Sequence, residues 1–132
     1  MFKEIQHTAD VGIYVESTSF RNFFYDAAMG LMAISEIEPE SNNDRLSIEI
    51  FKDKAEEKEI LLIDWLNFLI YKLDNKYYLS NCHIQFKKNF LIAKCYFNKL
   101  KMRKLLIKSA TFHNLQLIKY KLLIKANIIF DI

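Results

Sequence analysis

Acidic groups stand near both ends of this 132-residue chain: Asp10 at the start of an alternating apolar segment, and Asp131, beside the carboxylate of Ile132, at the end of another. If those segments are neighbouring strands, three oxygen groups converge. Carboxylates brought within a few ångströms repel one another, and the simplest remedies are a divalent cation or a nearby ammonium. A ligand set made only of oxygen selects a hard cation, Ca²⁺ or Mg²⁺, over the zinc expected of Cys and His clusters. On residue types alone the plainer alternative carries more weight: Asp10 caps a turn and Asp131 pairs with a lysine.

The other residues able to do chemistry are sparse. His7 and His113 lie near the same two ends, and His83 falls on the outward face of a predicted strand. Histidine serves as base or ligand, but His113 beside Asn114 also fits a turn, and His7 fits a bond to the adjacent backbone. No serine or cysteine sits in a nucleophile elbow, two glycines cannot build a phosphate-cradling loop, and neither HExxH nor paired CxxC occurs. An autonomous catalyst is poorly supported. Cys82 and Cys95, thirteen apart, read as small apolar core residues rather than as a metal or disulfide framework.

The elements that position these residues follow from periodicity. Val11, Ile13 and Val15 alternate with Gly12, Tyr14 and Glu16, a half-buried strand whose phase turns Asp10 away from the core. Ser19 reads as the N-cap of a helix whose apolar face is Phe20, Phe23, Phe24, Ala27, Ala28, Leu31 and Met32. The breaker-rich stretch 35–45, with Pro39, reads as a solvated connection. Leu46, Ile48 and Ile50 then alternate with Ser47 and Glu49, predicting a strand with its polar side chains outward. Glu56, Glu57 and Glu59 suit the positive end of a second helix carrying Leu62, Trp65, Leu66, Leu69, Ile70 and Leu73.

Two strands meeting at Lys88-Asn89 place Cys82 opposite Cys95. Three further β segments are expected at 106–113, 115–120 and 122–131; the last turns Ile124, Ala126, Ile128 and Phe130 inward and Asp131 outward. The expected fold is α+β over residues 1–132 as a single domain: a mainly antiparallel β-sheet covered on one face by two amphipathic α-helices. Chain ends in small domains tend to lie close together, which would bring Asp10 to Asp131.

Composition narrows the class. With 52% hydrophobic residues, one Pro and eleven Phe, the chain is neither disordered nor low-complexity. No apolar run approaches the ~20 residues of a membrane span, and the opening residues lack a secretory pattern, so no membrane partner and a cytoplasmic location are expected. Charge is divided: seven Lys/Arg face fifteen Asp/Glu up to Asn75, and twelve face one from Lys76 onward. Neighbouring strands neutralising one another is the favoured reading of that division, ahead of separate acidic and basic faces. Aromatics in the basic half, with a predicted basic loop at 99–104, raise RNA binding as an alternative, although no RNP-like or helix-turn-helix pattern supports it.

Four blocks in order resemble the archease family: His7-Thr8-Ala9-Asp10-Val11-Gly12-Ile13; Ser19-Phe20 through Ala27-Ala28 to Leu31; Leu61-Leu62 with Trp65-Leu66 and Leu69 to Asp74; and Lys108-Ser109-Ala110-Thr111-Phe112-His113 before a terminal Phe130-Asp131-Ile132. The resemblance spans nearly the whole chain. It implies a non-catalytic accessory protein of the GTP-dependent RNA ligase of tRNA splicing and RNA repair, promoting guanylylation and turnover of that ligase and reaching tRNA only through it. It also implies a divalent-metal site at Asp10, Asp131 and Ile132, with calcium the first choice and magnesium or manganese as alternatives. Lys108, in the family's Lys-x-Ala-Thr block, falls beside that site, and His7 and His113 join it as candidates for ligase activation. Phe112 stands where the family commonly has tyrosine, and the stretch 97–107 is shorter and more basic than in relatives. The competing readings are a metal-dependent phosphoester hydrolase at the same carboxylates and a small RNA-binding module using the basic half.

Overall fold

A computed structural model describes residues 1–6, 10–41 and 46–132, so His7 and residues 42–45 lie outside the described residues. In chain order the elements are β1 (Phe2–Gln6), β2 (Val11–Ser17), α1 (Phe20–Ile34), β3 (Ile37–Pro39), β4 (Ser47–Lys54), α2 (Lys58–Asp74), β5 (Tyr77–Lys87), β6 (Phe90–Arg103), β7 (Ser109–Ala110), β8 (Ile118–Tyr120) and β9 (Leu123–Asp131).

Local rules account for most of these boundaries. Ser19 caps α1 by accepting the Asn22 N–H at 3.1 Å, which satisfies one of the donors a helix start leaves open. Glu59 occupies the first turn of α2 and Lys72 the last, both complementing the helix dipole. Lys88 takes a left-handed backbone (φ 56°) in the turn between β5 and β6, and the hairpin it closes sets Cys82 opposite Cys95 as the alternation required.

The strands form two antiparallel sheets where a single sheet was expected. One, ordered β1-β2-β9-β7 with β8 also on β9, joins the two ends of the chain. The other is built around the fourteen-residue β6, with β5 along one edge and β3 and β4 sharing the opposite edge. The helices and sheets enclose a core whose largest fully buried side chains include Trp65, Phe23, Phe24, Phe97 and Phe130. Trp65 Nε1 donates to the Phe24 carbonyl at 3.1 Å and so ties α2 to α1. No helix among the described residues is long and apolar enough to cross a membrane.

Several sequence expectations need correction. Part of the 35–45 connection is strand β3, paired with the end of β6, and the basic run 99–104 is largely the end of β6 rather than a loop. Within the segment 106–113 only Ser109–Ala110 is strand. There the Ala110 N–H donates to Asn67 Oδ1 on α2 at 2.8 Å, so a helix side chain takes the group that a further strand would have used.

The largest departure is the phase of β4. Ile48 and Ile50 are exposed, whereas Glu49, Phe51 and Asp53 face inward. Glu49 accepts from Lys72 Nζ at 2.7 Å, the Phe51 ring stacks on Phe68 at 4.7 Å, and Asp53 faces Asp64. Two strand residues advance about 6.7 Å and four helical residues about 6 Å. The series 49, 51, 53 on β4 therefore meets 72, 68, 64 on α2 in step, and this match sets which face turns in.

The divided charge is partly neutralised between neighbours, as favoured. Lys101 lies 3.8 Å from Glu38 across β6 and β3, and Lys125 lies 3.7 Å from Glu16 across β9 and β2. Arg103 pairs with Asp74 at the end of α2.

Candidate functional site

β9 lies between β2 and β7, and its last residues receive neighbours from both sides. The β2 pairing ends at Val11↔Phe130, so the next residues outward are Asp10, just before β2, and Asp131, the last residue of β9, at one end of the sheet. On the other side Ser109 is opposite Asp131. The Ser109 hydroxyl lies 3.4 Å from Asp131 Oδ2, and the Lys108 N–H donates to the Asp131 carbonyl at 2.8 Å. Ile132 follows directly. The corner thus assembles Asp10, Asp131, Ser109 and the main chain of Lys108 and Ile132 from three separate stretches of sequence.

Packing behind the corner holds these strands in place. A Cβ on Gly12 would stand 2.9 Å from Ile129 Cδ1 and from Ile5 Cγ1, and 3.0 Å from the Ile128 carbonyl oxygen. The absent side chain is what allows two isoleucines from the flanking strands to close over β2. Across β9, Thr111 adds two bonds to the Ile129 carbonyl, from its N–H at 3.0 Å and its hydroxyl at 2.9 Å. Asn67 anchors Ala110 from α2 at the same place. Asp131 is exposed and Asp10 half-buried.

Of the sequence candidates, Asp10, Asp131 and Ile132 fall together, with Lys108 alongside through its backbone. Lys108 and Phe112 are exposed and Ala110 between them is buried, and regular strand is limited to Ser109–Ala110. His113 lies in the turn after Thr111, whose hydroxyl accepts its N–H at 3.3 Å, with Asn114 Nδ2 3.4 Å from its ring.

Sequence reasoning passed over Ser109 and Asn67. The signal for Asn67 was present, an amide in the middle of an otherwise apolar helix; Ser109 carried none beyond its place in the Lys-x-Ala-Thr block.

Among the described residues the donor set at the corner is all oxygen: two side-chain carboxylates, one hydroxyl and main-chain oxygens. That set fits a hard cation. Among the described residues no three His, Cys, Asp or Glu side chains gather as metal ligands, so any further donor from those residues must be a hydroxyl or the main chain.

A second carboxyl pair lies elsewhere. Asp64 is pushed up to about 6, first by desolvation and then by hydrogen bonding and charge from Asp53. The buried Asp53 Oδ2 has no donor among the described residues, so Asp64 can satisfy it only while protonated, below about pH 6. The cysteines are buried and free, each pushed up to about 12 by desolvation, which leaves them protonated at neutral pH.

The topology defines a class: a small α+β protein in which first-half and last strands meet in one sheet at an acidic corner, with two helices packed between two sheets. The chain matches the Archease protein family (MTH1598/TM1083) over residues 2–132 and belongs to that family. Its fold is shared with an archease of Thermotoga maritima described as a possible chaperone, at TM-score 0.70 and 23% identity over 98% of this chain and 96% of that one. Protein 1598 of Methanobacterium thermoautotrophicum superposes at TM-score 0.68 and 21% identity, over 99% and 98%. No curated protein matches the sequence significantly.

Proposed function

We propose that this protein is a non-catalytic accessory factor of a GTP-dependent RNA ligase, acting through a divalent cation held at Asp10, Asp131 and a main-chain oxygen of Ile132. The observation that carries the reading is the β2–β9 register, which sets Asp10 beside Asp131 at an accessible end of the sheet. Ca²⁺ suits the all-oxygen donors, and Mg²⁺ or Mn²⁺ would be accepted by the same set. When bound, the ion would supply local positive charge beside the two carboxylates, a combination suited to seating phosphate groups and metal in a partner's site. The chain's own residues hold and orient: Ser109 braces Asp131, Lys108 fixes its carbonyl, and Gly12 lets the strands close. RNA is reached through the ligase, and the location is that of the ligase, the cytoplasm. Membership of a family with a member described as a possible chaperone supports an accessory role.

The test measures guanylylation and multiple turnover of an RNA ligase with wild type, Asp10→Ala or Asp131→Ala, together with calorimetric cation binding. Loss of both stimulation and binding in correctly folded variants supports the reading. Undiminished stimulation by either variant overturns it, and phosphoester hydrolysis by the pure protein would favour the hydrolase instead.

A further inference from the structure

Along the edge of β5 not paired with β6 runs a groove walled by α1. Two cavities lie in line there, one of about 510 Å³ bounded by residues 82–85 and one of about 480 Å³ bounded by residues 84–87, both facing Arg21 on the helix. Four consecutive residues of a strand line a cavity only when its backbone edge is open to it. The Cys82 N–H donates to Asn81 Oδ1 at 2.9 Å, so it points away from β6. By strand alternation the N–H and carbonyl groups of Ile84 and Phe86 point the same way, and β5 pairs with no strand but β6 among the described residues.

The charged side chains bordering the two cavities, Arg21 and Lys87, are both basic, and no acidic side chain borders them. Ser19 and Phe20, at the positive end of α1, close one end of the groove. Tyr25 and Phe20 offer ring surface on the helix side, while His83, Gln85 and Lys87 stand on the outer face of the strand.

We propose that this groove binds an extended peptide segment of a partner protein, with alternate acidic and apolar residues, as an added strand on β5. Main-chain bonds to Ile84 and Phe86 supply affinity. Apolar side chains of the segment face Phe20 and Tyr25, and its acids lie beside Lys87 and within reach of Arg21. An open strand edge beside a helix is the arrangement that accepts an added strand, and the cationic lining selects the acidic class. The groove lies at the Ser17 end of β2, seven residues and about 24 Å from the Asp10 corner, so a partner could hold it while the corner stays free. The inference does not depend on a metal at that corner.

The experiment titrates the full ¹⁵N-labelled chain with three capped hexapeptides: alternating valine and glutamate, alternating valine and lysine, and the first with alternate amides N-methylated. The expected result is amide shifts and slowed exchange centred on Ile84 and Phe86 with the acidic peptide. Its affinity should exceed that of either other peptide by about tenfold or more, and Arg21→Glu with Lys87→Glu should abolish the preference without moving the thermal midpoint appreciably. Equal response to all three peptides, shifts lying elsewhere, or perturbation of the same amides by a single-stranded RNA that the acidic peptide cannot displace would each overturn it.

Discussion

Strands β9 and β4 carry the same kind of alternating pattern and end with opposite phases relative to what that pattern suggests. In β9, Ile124, Ala126, Ile128 and Phe130 are all buried, as alternation requires. Beside and within β4, Leu46, Ile48 and Ile50 are 50%, 56% and 49% exposed. The difference lies in neighbours. β9 has strands on both edges and contributes Phe130 to the centre of the core, so burial of its apolar face dominates. Among the described residues β4 is paired with β6 on one edge only, and its orientation is decided by α2, where the Phe51 stack and the Glu49–Lys72 bond outweigh two isoleucines left on the surface. Alternation identifies a strand; the partner element determines its facing.

That contrast can be broken directly. Phe51→Ala removes the ring between Trp65 and Phe68 and is expected to destabilise by about 3 kcal/mol. Ile50→Thr, one residue away, should stay within about 0.5 kcal/mol. Urea unfolding of both variants checks the pair, and equal losses would show that β4 buries its other face. In the sheet that holds β9, Gly12→Ala should cost about 2 kcal/mol, because the added carbon meets the Ile128 carbonyl as well as two side chains. It should also weaken cation binding by displacing β9, which calorimetry would detect.

A smaller effect tests the far end of the β4 seam. The folded pKa of Asp64, raised from 3.8 to about 6, lies above its unfolded value, so the folded state binds this proton more tightly and stability falls as pH rises from about 4 to 6. Asp64→Asn is expected to remove that slope and to raise stability at pH 7 by less than about 1 kcal/mol, discounted because the group is largely exposed. Thermal midpoints at several pH values measure it. Smallest of all, thiol reagents at pH 7 should leave Cys82 and Cys95 unmodified in the native state, since both are buried and protonated.

Much of this was legible beforehand because it depends on short-range chemistry. The Ser19 cap, the helix faces, the Lys88 turn and the Cys82–Cys95 facing follow from residues a few positions apart. Asp10 and Asp131 were nominated by strand phase, and the family motifs agreed. The reduction of 106–113 to two strand residues and the outward turn of Ile48 and Ile50 were not legible, since each depends on a side chain from a distant element: Asn67 for β7, and Phe68 and Lys72 for β4; the two-sheet split depends on pairing between distant strands.

Taken alone, the sequence determined the two helices, most of the longer strands, which family they compose and which acids are candidates. Register across strands determined the rest. Neither Asp10 nor Asp131 is distinctive until antiparallel pairing brings their positions to one end of the sheet, and an open groove exists only because α1 packs beside β5 without covering its outward amides. Both are properties of the space between elements, and periodicity within one element carries no information about it.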